Sequence, residues 1–394
     1  MVIKFEIDNL LEEQIKNGDS IDFIDFDIKR IMLPITKKYD HEYYFSLKEE
    51  LYNYSDYIKS LGIFPSELQD IIRKNSELVI KSIEYYYNAQ FEKARKCISV
   101  IINDYINNEF IVSNIYDSYI FHKCDFGKKS NETNAIRPVG LFRARDSVEQ
   151  VSKQNMLHIP LSKREVVSMQ RFGMSGVPCI YAATSTYCCW LELNMPAQDS
   201  FYASLIRFPE NIKVFNLAIS SKLMCSSNEC INGKGLKLLE SALSLWPLIC
   251  ATSYNILEKN RNFKSEYIIS QLVMQCLQDL DIDAVAYCSK KIYDFRAYPY
   301  AINVAIPVKK DFEINNEYWL KANKVFLNNP VCYKEFVEKT KQFNLHEGAR
   351  INLSFERDEE LNNIEFMGKD MDFKALNFYN YDNYLFHMRY ESFF

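Results

Sequence analysis

Apolar positions in the first third of the chain recur at helical steps. Leu68, Ile71 and Ile72 fall on one face after Pro65-Ser66, and Phe91, Ala94, Ile98, Ile101 and Tyr105 repeat at intervals of three and four, the spacing of an amphipathic helix. The pattern predicts packed helices in which Tyr85-Tyr86-Tyr87 supplies core and helix surface rather than a ligand-stacking site. A polar stretch over residues 123–137 (KCDFGKKSNETNAIR), carrying a glycine, two asparagines and a short basic run, reads as a loop and sets a boundary near residue 135.

The middle of the chain changes period. Pro178-Cys179-Ile180-Tyr181-Ala182-Ala183 is a short apolar run bounded by Gly176 and Thr184, which predicts a buried strand. Ser185 then reads as the N-cap of a helix running through Trp190 and Glu192. After Ser265-Glu266, the residues Ile268, Ile269, Leu272, Val273, Cys276 and Leu280 have helical spacing, and strands are expected over residues 282–288 and 302–306. From residue 309 the chain is polar again, with one helix expected around residues 333–341 and an aromatic-rich tail over 378–394. The expected fold class is therefore α+β. Its expected segments are a helical N-terminal domain (1–135), a mixed-sheet domain (136–310) and a C-terminal extension (311–394). No internal repeat or low-complexity tract is present.

Composition narrows the partners. The 394 residues carry 47 Lys+Arg against 52 Asp+Glu, a formal charge of -5, so the basic excess of a general nucleic-acid binder is missing. At 48% hydrophobic residues with 10 Gly and 11 Pro, the chain has material for a core and no bias toward disorder. Its apolar runs are far shorter than the roughly 18 residues that span a bilayer, and the start Met1-Val2-Ile3-Lys4-Phe5-Glu6-Ile7-Asp8 has no secretory pattern. No membrane association is expected, and a cytoplasmic location is. The 11 cysteines are odd in number, contain no CxxC pair and sit mostly in apolar stretches, as reduced structural thiols do. Five scattered histidines (His41, His122, His158, His346, His387) give no ligand spacing, so no metal is expected.

Common catalytic signatures are missing. There is no GxSxG, GxxxxGK[ST] or GxGxxG, and Asn232-Gly233-Lys234-Gly235 reads as a turn. The informative region is residues 140–193. Arg143 follows Leu141-Phe142 on a strand-like segment, and Arg171 precedes a glycine-bearing loop over residues 173–176 that leads to the strand of Tyr181. Two guanidinium groups at the mouth of a sheet suit a phosphate or pyrophosphate, since each presents a planar fork of donors. Glu192 lies among Trp190, Leu191 and Leu193, where a buried carboxylate needs a cation or a ligand. Each residue also has a plainer reading: Arg143 paired with Asp146 or Glu149, Arg171 flanking a loop, Tyr181 in the core, Glu192 solvated. Together they describe a pocket for a dinucleotide, and Arg145 rivals Arg143 for the arginine role.

Residues 140 to about 307 resemble the RES domain, a family named for shared Arg, Glu and Ser residues, in which an Arg, a Tyr and a Glu follow at steps of ten and eleven. Arg171, Tyr181 and Glu192 stand at those steps, after Phe142-Arg143 and His158-Ile159-Pro160. Ser289, following Ile282-Asp283-Ala284-Val285-Ala286-Tyr287, is the candidate for the family's serine, and Asn303-Val304-Ala305 resembles the strand after it. The resemblance implies an ADP-ribosyltransferase-like fold and an enzyme acting on NAD+. Such proteins are bacterial toxins that deplete NAD+ by hydrolysis or phosphorolysis, held inactive by an antitoxin that often bears a helix-turn-helix domain. On that reading Glu192 stabilises the oxocarbenium-like ribose, Arg143 and Arg171 hold the pyrophosphate, Tyr181 positions the nicotinamide ribose, and Ser289 bonds the ligand or a catalytic neighbour. The alternatives are a mono-ADP-ribosyltransferase acting on a protein, and a non-catalytic binding module.

Overall fold

A computed structural model of the chain describes residues 27–118, 120–121, 139–208, 211–221, 233–308, 325–346 and 363–388. The expected loop over 123–137, the Met1–Asp8 start and the polar stretch from residue 309 to 324 lie outside these residues. Helices and a large mixed sheet make the protein α+β. It divides into two compact units: residues 1–111, 219–280 and 293–295 form the first, and residues 112–218, 281–292 and 296–394 the second. The contiguous division expected at residues 135 and 310 differs from this. Residues 219–280 join the N-terminal helices, and the C-terminal residues belong to the sheet unit instead of extending from it. The reason is that an apolar helix face shows that it must be covered, while its partner can come from any distance along the chain.

The long helices of the first unit among the described residues are Glu42–Leu61, Ser66–Tyr87, Phe91–Asp104, Gly233–Thr252 and Ile268–Asp279. Most positions of the expected stripes face inward, with Leu68, Ile72, Ala94, Ile98 and Ile101 fully buried, while Phe91, which opens its helix, is exposed. Gly233 and Gly235, expected in a turn, instead open a 20-residue helix. That helix is apolar along Leu243, Leu245, Trp246, Leu248 and Ile249, all buried, so packing overrides the local cost of glycine. Tyr54 stacks on Trp246 at 4.0 Å between ring centroids and donates to the Leu243 carbonyl at 2.8 Å.

In the second unit a nine-stranded sheet has the order Phe326–Leu327, Phe201–Arg207, Gly140–Asp146, Cys179–Ala183, Ile302–Pro307, Ala284–Cys288, Lys213–Leu217, Val112–Asn114, with Val331–Cys332 also on Phe201–Arg207. Every pairing is antiparallel except Lys213–Leu217 with Ala284–Cys288. The expected strands at 178–183, 282–288 and 302–306 are its centre. One face packs on the helices Thr186–Glu192, Tyr333–His346 and Asn377–His387, burying Phe142, Tyr187, Phe201, Leu205, Phe336, Phe378, Tyr381 and Leu385. Truncating one of these aromatics to alanine costs about 3–5 kcal/mol, and Phe336, Phe378 and Tyr381 place the helices Tyr333–His346 and Asn377–His387 in the core.

Asp294 knits the first unit. Its carboxyl accepts from Leu33 N (2.9 Å), Ser221 N (2.7 Å) and Ser221 Oγ (3.0 Å), three donors from two distant segments. Burial outweighs these donors and pushes the carboxyl up to about 6. The folded state therefore holds this proton more tightly than the unfolded chain, and the group's contribution to stability is full below its usual 3.8 and lost as pH rises to about 6. In urea titrations across this window, the stability difference between wild type and Asp294→Ala should shrink as pH rises and then level off.

Candidate active site

A strand, a cap and a short helix place the carboxylate. After Cys179–Ala183 the backbone of Ser185 is extended (φ -149°, ψ 157°), and its Oγ accepts from Cys188 N at 3.0 Å, capping Thr186–Glu192 as the sequence predicts. A seven-residue helix is marginal on its own, so tertiary bonds hold it. At its start Asp382, on Asn377–His387, accepts from Thr186 N at 2.9 Å and from Thr186 Oγ1 at 2.5 Å. Burial pushes the Asp382 carboxyl well above the carboxylate range. At the helix's end stands Glu192.

Glu192 is exposed, not buried among its apolar neighbours. Its carboxylate meets two neutral donors: Ser289 Oγ and Asn303 Nδ2 both donate to Oε1, each at 2.7 Å. Ser289 Oγ also accepts from Lys291 N at 3.2 Å, which turns the hydroxyl proton toward Glu192. Both bonds fall on one oxygen, Oε1, and Oε2 makes no hydrogen bond among the described residues.

Arg171 is 8% exposed and does not simply flank a loop. Its guanidinium lies 4.7 Å from the ring centroid of Tyr287 and 5.1 Å from that of Phe172, and Nη1 donates to the Cys288 carbonyl at 3.0 Å. The segment Tyr287-Cys288-Ser289 thus holds the arginine with a ring and a carbonyl, and the glutamate with the next hydroxyl. Burial, then the charge of Glu192, pushes the Tyr287 phenol far up, while Arg171 opposes this.

The second pair of cations lies on Gly140–Asp146. Arg143 donates to the carbonyls of Tyr181 (2.9 Å) and Leu157 (3.3 Å), and Arg145 donates to those of Asn155 and, at 3.4 Å, Leu157. Both arginines therefore line one site, and neither pairs with Asp146 or Glu149 or with any other carboxylate among the described residues. Burial, then the neighbouring Arg145, lowers Arg143 to about 10. Carbonyl dipoles alone are weak compensation for a buried cation with a half-buried one beside it, and an anion would offset that cost. Backbone pairing between Gly140–Asp146 and Cys179–Ala183 occurs at Phe142/Ala183, so the Arg143 guanidinium reaches the Tyr181 carbonyl where the ladder has opened.

The register Tyr181/Ala305, Ala183/Asn303 and Tyr287/Asn303 puts Tyr181, Asn303 and Tyr287 on one face of three neighbouring strands. The buried Tyr181 hydroxyl has no hydrogen-bond partner among the described residues, and burial holds its phenol neutral. It lies so close to Gly173 that a Cβ there would overlap it. The structure therefore gathers Arg171, Glu192 and Ser289 around one strand end, with Arg171 against Tyr287 and Cys288 and Glu192 against Ser289, and joins Arg143 and Arg145 to the adjoining strand and loop through the Tyr181 and Leu157 carbonyls.

Asn303 was not among the residues singled out from the sequence. Its signal was available: a lone amide inside Ile302-Asn303-Val304-Ala305-Ile306 sits on a buried strand and must find a partner. Among the described residues no cluster of three or more His, Cys, Asp or Glu side chains is placed to hold a metal. No helix among them is long and apolar enough to cross a membrane.

The chain resembles a protein described as a toxin. It is 26% identical over 308 residues, 72% of its length, to "Putative toxin YopC" of Bacillus subtilis (strain 168), and the match spans 65% of that protein. No protein-family model matches the chain, and no solved structure matches it.

Because the added methyl would meet the Tyr181 hydroxyl, Gly173→Ala should lower stability by about 1–3 kcal/mol. In a double-mutant cycle followed by urea unfolding, Tyr181→Phe should recover part of that loss; additivity of the two substitutions would show that they do not touch.

Proposed function

We propose that the chain cleaves NAD+ at the nicotinamide–ribose bond and that it acts as a cytoplasmic toxin by depleting NAD+. The observation that carries the reading is the exposed Glu192 carboxylate, oriented through one oxygen by Ser289 and Asn303, in the same unit as Arg143 and Arg145, whose acceptors among the described residues are backbone carbonyls. The relative described as a toxin supports the coarser part, and the RES-like spacing of Arg171, Tyr181 and Glu192 supports the finer part.

The residues fit the substrate in kind. Arg143 and Arg145, desolvated and bound only to carbonyls among the described residues, suit the diphosphate. Arg171 suits the same anion or the nicotinamide ribose, and the Tyr181 face and hydroxyl suit the sugar. In the reaction the bond between the ribose C1′ and the nicotinamide nitrogen breaks, and its electron pair leaves with the ring as neutral nicotinamide. Positive charge then grows on C1′ and the ring oxygen, and the free oxygen of Glu192 stabilises it. Water or phosphate adds through oxygen at C1′; water gives up its proton to Glu192 or solvent. No general acid is needed for the leaving group. A protein antitoxin is the partner expected to hold such an activity in check.

Purified protein should release nicotinamide from NAD+, with or without phosphate. Glu192→Ala should slow release by about 100-fold or more while leaving the thermal midpoint within a few degrees, since the residue is exposed. No release by the wild type in either buffer would overturn the reading, as would an active Glu192→Ala variant.

A further inference from the structure

Glu192 is held by a residue that is itself held. Asn303 is 6% exposed, and both ends of its amide are engaged: Nδ2 donates to Glu192 Oε1 at 2.7 Å, and Oδ1 accepts from Cys188 Sγ at 3.4 Å. Cys188 is fully buried, one turn before Glu192 on the same short helix.

We propose that Cys188 and Asn303 are positioning residues for the carboxylate: the thiol fixes which way the Asn303 amide faces, and the amide fixes Glu192. This inference rests on the reading of Glu192 as the catalytic carboxylate.

The chemistry of the neighbours decides the orientation. A carboxylate only accepts, so the atom of Asn303 facing Glu192 must be the nitrogen. Burial, then the charge of Glu192, pushes the Cys188 thiol far up, so it stays protonated and donates, and the atom facing it must be the oxygen. A reversed amide would set oxygen against carboxylate oxygen and leave the thiol without its acceptor. The chain Cys188 to Asn303 to Glu192 therefore has one polarity. Ser289 bonds the same Oε1, so the two donors fix that oxygen and leave Oε2 without a bond among the described residues. Cys188 and Glu192 share the helix while Asn303 sits on Ile302–Pro307, so the chain also pins the helix end to the sheet.

Two measurements separate this inference from the NAD+ reading. The first is the side-chain amide resonance of Asn303 in a nitrogen–proton correlation spectrum, assigned by its loss in Asn303→Asp. Both Glu192→Gln and Cys188→Ala should shift it and speed its exchange with solvent, and Cys188→Ser should restore it. A resonance indifferent to Glu192→Gln and Cys188→Ala overturns the inference whatever the protein catalyses. The second is nicotinamide release. Asn303→Ala should lower kcat by about 10-fold or more with KM within about threefold, and Cys188→Ala by about three- to tenfold. Cys188→Ser, whose hydroxyl donates to the same oxygen, should recover most of the latter loss. Equal losses in Cys188→Ala and Cys188→Ser, or losses confined to KM, overturn the positioning role. Release absent from wild type with the amide shifts as expected would refute the NAD+ reading and leave the hydrogen-bond chain standing.

Discussion

The second unit converges on one atom, Oε1 of Glu192. Ser289 reaches it from the end of Ala284–Cys288 and Asn303 from the neighbouring Ile302–Pro307. For both donors to arrive, these strands must pair in their observed register, and Thr186–Glu192 must end above them. A slip of one residue in that pairing would turn Asn303 to the other face of the sheet. The Ser185 cap and Asp382 fix the helix at its start, the two donors fix it at its end, and the C-terminal core supplies the floor on which it rests.

Charge is arranged around that atom by two different means. Arg171 is buried between aromatic rings and a carbonyl, where delocalised charge is tolerated because a guanidinium stacks on rings and is weakly hydrated. Arg143 is buried and Arg145 half-buried beside it, with carbonyls as acceptors, and desolvation lowers both. Folding places like charges together in a poorly solvated position, at a free-energy cost that an anionic ligand would offset. A site that gains stability from the anion is the arrangement expected where binding, rather than folding alone, has shaped the side chains.

Much of the local structure was legible in the chain. The inward stripes of Ser66–Tyr87, Phe91–Asp104 and Ile268–Asp279 follow from spacings of three and four. The strand before Ser185 and the cap itself follow from a short apolar run stopped by a residue whose side chain replaces a missing backbone acceptor. The candidate residues Arg171, Tyr181, Glu192 and Ser289 stood out in the sequence through the resemblance to the RES domain. Asn303 was legible only as an amide that needed a partner, and the segment around Gly233 was misread because two glycines weigh locally toward a turn.

The sequence by itself determined where the helices Ser66–Tyr87, Phe91–Asp104, Thr186–Glu192 and Ile268–Asp279 and the central strands form, because periodicity and capping act over a few residues. Only the tertiary structure decided that Gly233–Thr252 and Ile268–Asp279 complete the helical unit, that Tyr333–His346 and Asn377–His387 complete the sheet unit, that Arg145 joins Arg143, and that Asn303 lies against Glu192. Each of those outcomes depends on strand order and helix packing between distant segments. Burial and hydrogen-bond satisfaction are summed there over the whole unit, and no local window contains the partners.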